Sequence, residues 1–261
     1  MEKYPMTNIH PNAKIADDVK IDAFTTIYDN VEIGEGTWIG SNVTIFSGAR
    51  IGKNCKIFPG AVISAIPQDL KFDNEDTTAE IGDGTIIREC VTINRGTKDR
   101  NKTVVGKNCL LMAYVHVAHD CIVGDNCILA NCVNLAGHVV LGDFVIIEGV
   151  AGVQQFVHIG EHAFIASGAN ARKNVPPYVK AARDPLTYAG VNSVGLRRRG
   201  FSTDVILQIE DIYRSLYVRG LNVTNAVRVI EQEAPKSKEK DIILKFIEES
   251  SAKGIIRGPI V

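Results

Sequence analysis

The sequence predicts a mainly β chain: a parallel β-helix of hexapeptide repeats, about eight coils long, with a small C-terminal α-helical domain. Three observations predict it. Every sixth residue from Ile9 to Ile63 is isoleucine, and the spacing resumes at Ile81, Ile87 and Ile93 and again from Val105 to Ile165 with Val, Leu or Ile. Four residues after each aliphatic stands a small or β-branched residue, as at Val19, Thr25, Val43 and Cys55. Glycine follows the aliphatic at Gly34, Gly52, Gly82, Gly106, Gly124, Gly142 and Gly160, which in rung count is every third hexad. A period of six fits neither a 3.6-residue helix nor a plain two-residue alternation, so each hexad reads as a short strand plus a corner. Three rungs then make one coil, and the coils stack.

Taken in order, the first tract runs to Ile63 and a loop spans 64–80. Three rungs follow, then a second loop spans 94–104, and the last tract ends near Ala171. Phase is kept only if both loops are corner excursions that consume no rung. Pro176 and Pro177 stop the repeat, and helical spacing takes over. Ser202 or Thr203 caps a helix whose Val205, Ile206, Ile209, Ile212, Tyr213 and Leu216 share a face, ending at Gly220. Further amphipathic helices are expected over about 224–233 and 238–250. The domain division is therefore a β-helix over 1–190 and a helical domain over 191–261.

Composition narrows the function. With 261 residues, 45% of them hydrophobic, and a formal net charge of −1, the chain has a substantial core and no global basic character for nucleic acid. No stretch has the roughly 20 apolar residues of a membrane span, and the N-terminus lacks a signal peptide's regions, so a cytoplasmic protein without stable membrane insertion is expected. Cys55, Cys109, Cys121 and Cys127 take the small inward position, and no CxxC pair exists, so the cysteines read as packing rather than redox or metal chemistry.

The histidines carry more. Residues 18 apart stack in successive coils, which places His119, Gly137 and Gln155 in one column and Asp120 beneath His138. Both loops leave the prism on this edge, bringing Asp69 and Lys71 toward it, directly or from a neighbouring chain, and His116 lies one short strand away. A histidine titrating near neutrality can take a proton from a hydroxyl, Asp120 can hold its tautomer, and the Gly137 amide can bond a developing oxyanion. The same three histidines could alternatively hold zinc. Arg197, Arg198 and Arg199, with Lys180 and Arg183, form a dense basic cluster suited to a diphosphate or an acidic protein, or simply to a solvated turn. No P-loop or Rossmann fingerprint is present.

The segments Gln68-Asp69-Leu70-Lys71, Val115 to Cys121, Leu135 to His138, Val175 to Tyr178 and Arg198 to Phe201 resemble, in order and spacing, those of the acyl-carrier-protein-dependent UDP-N-acetylglucosamine O-acyltransferases of lipid A biosynthesis. The resemblance covers essentially the whole chain. It implies a left-handed β-helix, a homotrimer with sites in the clefts between subunits, and transfer of an (R)-3-hydroxyacyl chain from acyl carrier protein to the glucosamine 3-hydroxyl, with no cofactor or metal. His119 would be the general base, Asp120 its partner and Gly137 the oxyanion donor. Asp69, Lys71, His116, His138, Gln155, Asn192, Arg198 and Arg199 would bind substrate, and Ser167 would set acyl length. The chain departs from the family at Gln154, where histidine is common, and at Val194, where an acidic residue is usual. A relative acting on a 3-amino sugar nucleotide, and a γ-type carbonic anhydrase, are the alternatives.

Overall fold

The computed structural model describes residues 3–258. Strands of mostly two residues form three sheets of nine, eight and ten strands, and through the repeat each strand pairs in parallel with the strands three before and three after it. Sheet one runs from Asn8–Ile9 to Asn170–Ala171, sheet two from Lys14–Ile15 to His158–Ile159, and sheet three from Lys20–Ile21 to Thr187–Val191. Each aliphatic of the repeat is the strand's inward residue, and from Ile27 to Ile165 these residues are almost wholly buried. That burial is the main driving force for stacking coils of so little regular structure.

Register shows where the loops sit. Partners are 18 apart in regular coils, as at Ile9 and Ile27. They are 30 apart at Ile63 and Ile93, an excess of 30 − 18 = 12, and 24 apart at Ile93 and Val117, an excess of 24 − 18 = 6. Neither excursion displaces the rungs above it.

The small inward position has a second use that the repeat pattern did not suggest. Thr25 Oγ1 donates to the Gly40 carbonyl at 2.8 Å and Thr85 Oγ1 to Gly106 at 2.7 Å. Cys109 and Cys127 Sγ approach the Gly124 and Gly142 carbonyls at 3.1 and 3.2 Å. Thr and Cys thus satisfy corner carbonyls that would otherwise be buried without a partner. All six cysteines are free.

Beyond Ala171 the chain does not pass straight to helix. Val179–Ala182 adds to sheet three and pairs antiparallel with Thr187–Val191. Four helices follow: α1 Ser193–Arg198, α2 Thr203–Tyr217, α3 Val223–Glu233 and α4 Lys238–Glu249. Ser202 caps α2 by accepting from the Val205 amide. Helix α2 is anchored by the buried Tyr213, whose hydroxyl donates to the Pro177 carbonyl at 2.6 Å. Short α1 and the hairpin escaped the sequence reading because neither spans enough residues to show a period. No helix among the described residues is long and apolar enough to cross a membrane.

Candidate active site

The corners between sheets one and two form one edge of the prism, and the histidines meet there. His119 and Asp120 follow the strand His116–Val117, His138 follows Asn134–Leu135, and Gln155 and Phe156 follow Gly152–Val153. Asp120 and His138 occupy the corner position at φ +59° and +63°. The His138 amide donates to the His119 carbonyl and the Phe156 amide to the Gly137 carbonyl, which fixes the column coil by coil.

His119 Nδ1 lies 2.8 Å from Asp120 Oδ2. That carboxylate is fully buried and accepts from four donors: the Thr97 amide (3.0 Å) and Arg100 amide (3.2 Å) on Oδ1, and Thr97 Oγ1 (2.7 Å) and His119 on Oδ2. Four donors fill a carboxylate's capacity and leave no site for a proton. Burial alone would raise the Asp120 pKa, but the bonds from His119 and Thr97 outweigh it and hold the group below the usual carboxylate range. Nδ1 of His119 therefore carries the hydrogen, and Nε2 is left as the acceptor.

Gly137 lies against that ring. A Cβ at this position would stand 2.6 Å from His119 Cε1 and 2.7 Å from Nε2, so no other residue fits without moving the imidazole. The Gly137 amide donates to no partner among the described residues. It is a free N–H beside a free imidazole nitrogen.

His138 stacks on Phe156 with centroids 4.5 Å apart and meets His119 edge-on at 5.1 Å. Its Nδ1 is 3.2 Å from Asp99 Oδ2 but makes no hydrogen bond among the described residues; its Nε2 is 3.7 Å from Asp120. Burial keeps His138 below the usual histidine range despite the two carboxylates. His116 bonds Thr92 Oγ1 at 2.7 Å and is likewise lowered, first by burial and then by His119. His119, Asp120 and His138 bring ligand-type atoms within 4.8 Å of one another, but the Asp120 oxygens are already taken by Thr97, Arg100 and His119.

Above the histidines, Asp69, Lys71, Thr97, Asp99, His138 and Gln155 line one cavity of ≈ 600 Å³. Both loops reach it: Asp69 and Lys71 come from the first and Thr97 and Asp99 from the second. His116 opens instead onto a neighbouring groove of ≈ 520 Å³ along sheet one, shared with Gln154 and Arg172. Histidines 119 and 138 are buried beneath the loops rather than set on an open face.

Within one chain the remaining candidates lie elsewhere. Asn192 is buried on the edge between sheets two and three, where its side chain donates to the His162 carbonyl and caps α1 through the Gly195 amide. Arg199 reaches the same edge, donating to the Phe144 carbonyl and facing His162 Nδ1 at 3.4 Å. Arg198 ends α1 and is exposed. Ser167 lies on the third edge, between sheets three and one, with its hydroxyl on the Gly149 carbonyl. The sequence reading missed Thr97, Asp99 and Arg100, which sit in an insertion with no period; Thr92 could have been found by rung count.

Comparison with known proteins agrees with this architecture. Residues 174–256 match the family described as UDP N-acetylglucosamine O-acyltransferase, domain 2, and residues 12–47, 30–65 and 102–137 match the bacterial transferase hexapeptide. The acyl-[acyl-carrier-protein]–UDP-N-acetylglucosamine O-acyltransferase of Chlorobaculum parvum is 54% identical, over 92% of this chain and 94% of its own. That of Xanthomonas euvesicatoria is 46% identical over 94% of each. The crystal structure of a UDP-N-acetylglucosamine acyltransferase from Bacteroides fragilis 9343 superposes with a TM-score of 0.95 at 48% identity, covering 97% of this chain and 99% of that one. The prism is a left-handed parallel β-helix. The chain is an acyltransferase and belongs to the UDP-N-acetylglucosamine O-acyltransferase family.

Proposed function

We propose that the protein transfers an (R)-3-hydroxyacyl chain from acyl carrier protein to the 3-hydroxyl of UDP-N-acetylglucosamine, the first step of lipid A biosynthesis. The observation that carries the chemistry is His119: Nδ1 on an ionised, fully buried Asp120 and Nε2 free beside the unpartnered Gly137 amide. Nε2 takes the proton of the sugar hydroxyl as the oxygen attacks the thioester carbonyl. The tetrahedral oxyanion accepts the Gly137 N–H. On collapse the carbon–sulfur bond breaks, and the departing thiolate takes the proton back from the imidazolium, whose charge Asp120 has stabilised. Asp69, Lys71, His138 and Gln155, around one cavity, hold the sugar nucleotide. His116, in the adjoining groove, borders the acyl donor.

A homotrimer supplies what one chain lacks. The edge bearing Ser167 also carries Phe24, Tyr114 and Val150, each 60–70% exposed. Such an apolar column on a monomer marks a contact surface. Set beside a neighbour's histidine edge, it forms an apolar wall for the acyl chain with Ser167 at the floor, and it brings Asn192, Arg198 and Arg199 within reach of the nucleotide.

Mass-spectrometric product analysis with UDP-N-acetylglucosamine and a ladder of (R)-3-hydroxyacyl carrier proteins tests the reading. A 3-O-acylated nucleotide is expected. Product only from the 3-amino analogue would replace ester by amide formation, and no product from either acceptor with folded protein would overturn the reading.

A further inference from the structure

The second loop does more than wall the cavity. Thr97 is buried and supplies two of the four donors on Asp120, its amide at 3.0 Å and its hydroxyl at 2.7 Å. The hydroxyl has one hydrogen, and it goes to Asp120. Its lone pairs remain free, and one accepts the Asp99 amide at 3.2 Å, which orients the residue whose carboxylate stands 3.2 Å from His138. Arg100 completes the clamp, donating its own amide to Oδ1 and its guanidinium to the Asp120 carbonyl at 2.8 Å. The loop is in turn fixed to the prism by the Gly96 amide on the Thr78 carbonyl and by Thr77 Oγ1 on the Gly96 carbonyl at 2.6 Å.

We infer that Thr97 is a positioning residue of the acyl transfer, one hydroxyl that fixes Asp120 against His119 and Asp99 against His138. This inference rests on the reading of His119 as the base. A carboxylate with its other lone pairs filled by the rigid loop cannot rotate, so the imidazole it holds has one orientation. Without the hydroxyl, Oδ2 keeps His119 as its only close donor. The carboxylate then binds the imidazolium more strongly but aims the ring less well. The charged groups facing the pair are His116 and His138 from sheet one and its corner, and Asp99 and Arg100 from the loop.

The test compares Thr97→Val and Thr97→Ser in the full-length enzyme. The valine variant is expected to lose about 10- to 100-fold in kcat, the scale of a misaimed catalytic group, with KM for both substrates nearly unchanged. Serine restores kcat. A valine variant with wild-type kcat overturns the inference, as does one that changes only KM, which would make Thr97 a cavity wall. If the valine variant does not fold, Thr97→Ala against Thr97→Ser carries the same comparison. His119→Ala separates the two readings: activity there removes the base itself, whereas an inactive His119→Ala with an unaffected Thr97→Val removes only the positioning role.

Discussion

At the scale of single residues, the column His119, Gly137 and Gln155 was legible because a repeat of known period is a ruler, and stacking follows from counting in eighteens. What counting could not supply was the state of the groups. The ionised Asp120, and hence the tautomer of His119, depends on Thr97 and Arg100, which come from an insertion where the ruler stops. Gly137 tests the packing directly. Gly137→Ala would push a methyl to 2.6 Å from the imidazole, so the ring must move. A loss of about 10²- to 10³-fold in kcat is expected, comparable to removing one oxyanion donor, together with a lowered melting temperature from the crowded buried ring. Steady-state kinetics beside a thermal melt checks it; unchanged kcat would mean that the ring position is irrelevant to turnover.

At the scale of elements, the rungs, their corners and α2 to α4 were readable because each repeats a period or presents a capped amphipathic face. The hairpin and α1 were not, being too short for either signal. Their anchoring is chemical rather than periodic. Along the edge between sheets two and three, His162 stacks between Phe144 and Tyr178 with Arg199 beside it. Burial first, and then the positive charges of Arg199 and Lys238, push its pKa down to about 4. Between about pH 6.5, the ordinary histidine value, and pH 4 the unfolded chain therefore binds a proton that the folded chain refuses. The His162 contribution to stability is present above that window and is lost as pH falls through it. The melting temperature should drop on acidification across this range, and less steeply in His162→Phe, which keeps the stack but cannot titrate; equal slopes would contradict the account. The anchor of α2 is similarly specific. Tyr213→Phe leaves the buried Pro177 carbonyl without its 2.6 Å partner and should cost about 1–3 kcal/mol in denaturant unfolding.

At the scale of the whole molecule, the mainly β class and the long prism were written in composition and period, while the way the edges divide the work was not. One chain places His119 with His138 on one edge, Arg199 on a second and Ser167 on a third. A repeat pattern states what stacks on what within a chain and says nothing of which edge faces a neighbour. If the apolar edge is the subunit contact, Val150→Arg should lower the mass seen by sedimentation from trimer to monomer and abolish turnover, even though Val150 is far around the prism from His119. A monomer that retains full activity would show that the cleft needs no second subunit. Whether His119 is the base of the acyl transfer is decided by the rate of acylated-nucleotide formation by His119→Ala at saturating substrates, with mass and melting temperature recorded on the same sample. A fall of about 10²- to 10⁴-fold, the usual contribution of general base catalysis, is expected in a protein that still assembles, with a melting temperature lowered because the buried Asp120 loses one of its four donors. A rate equal to wild type would contradict that role.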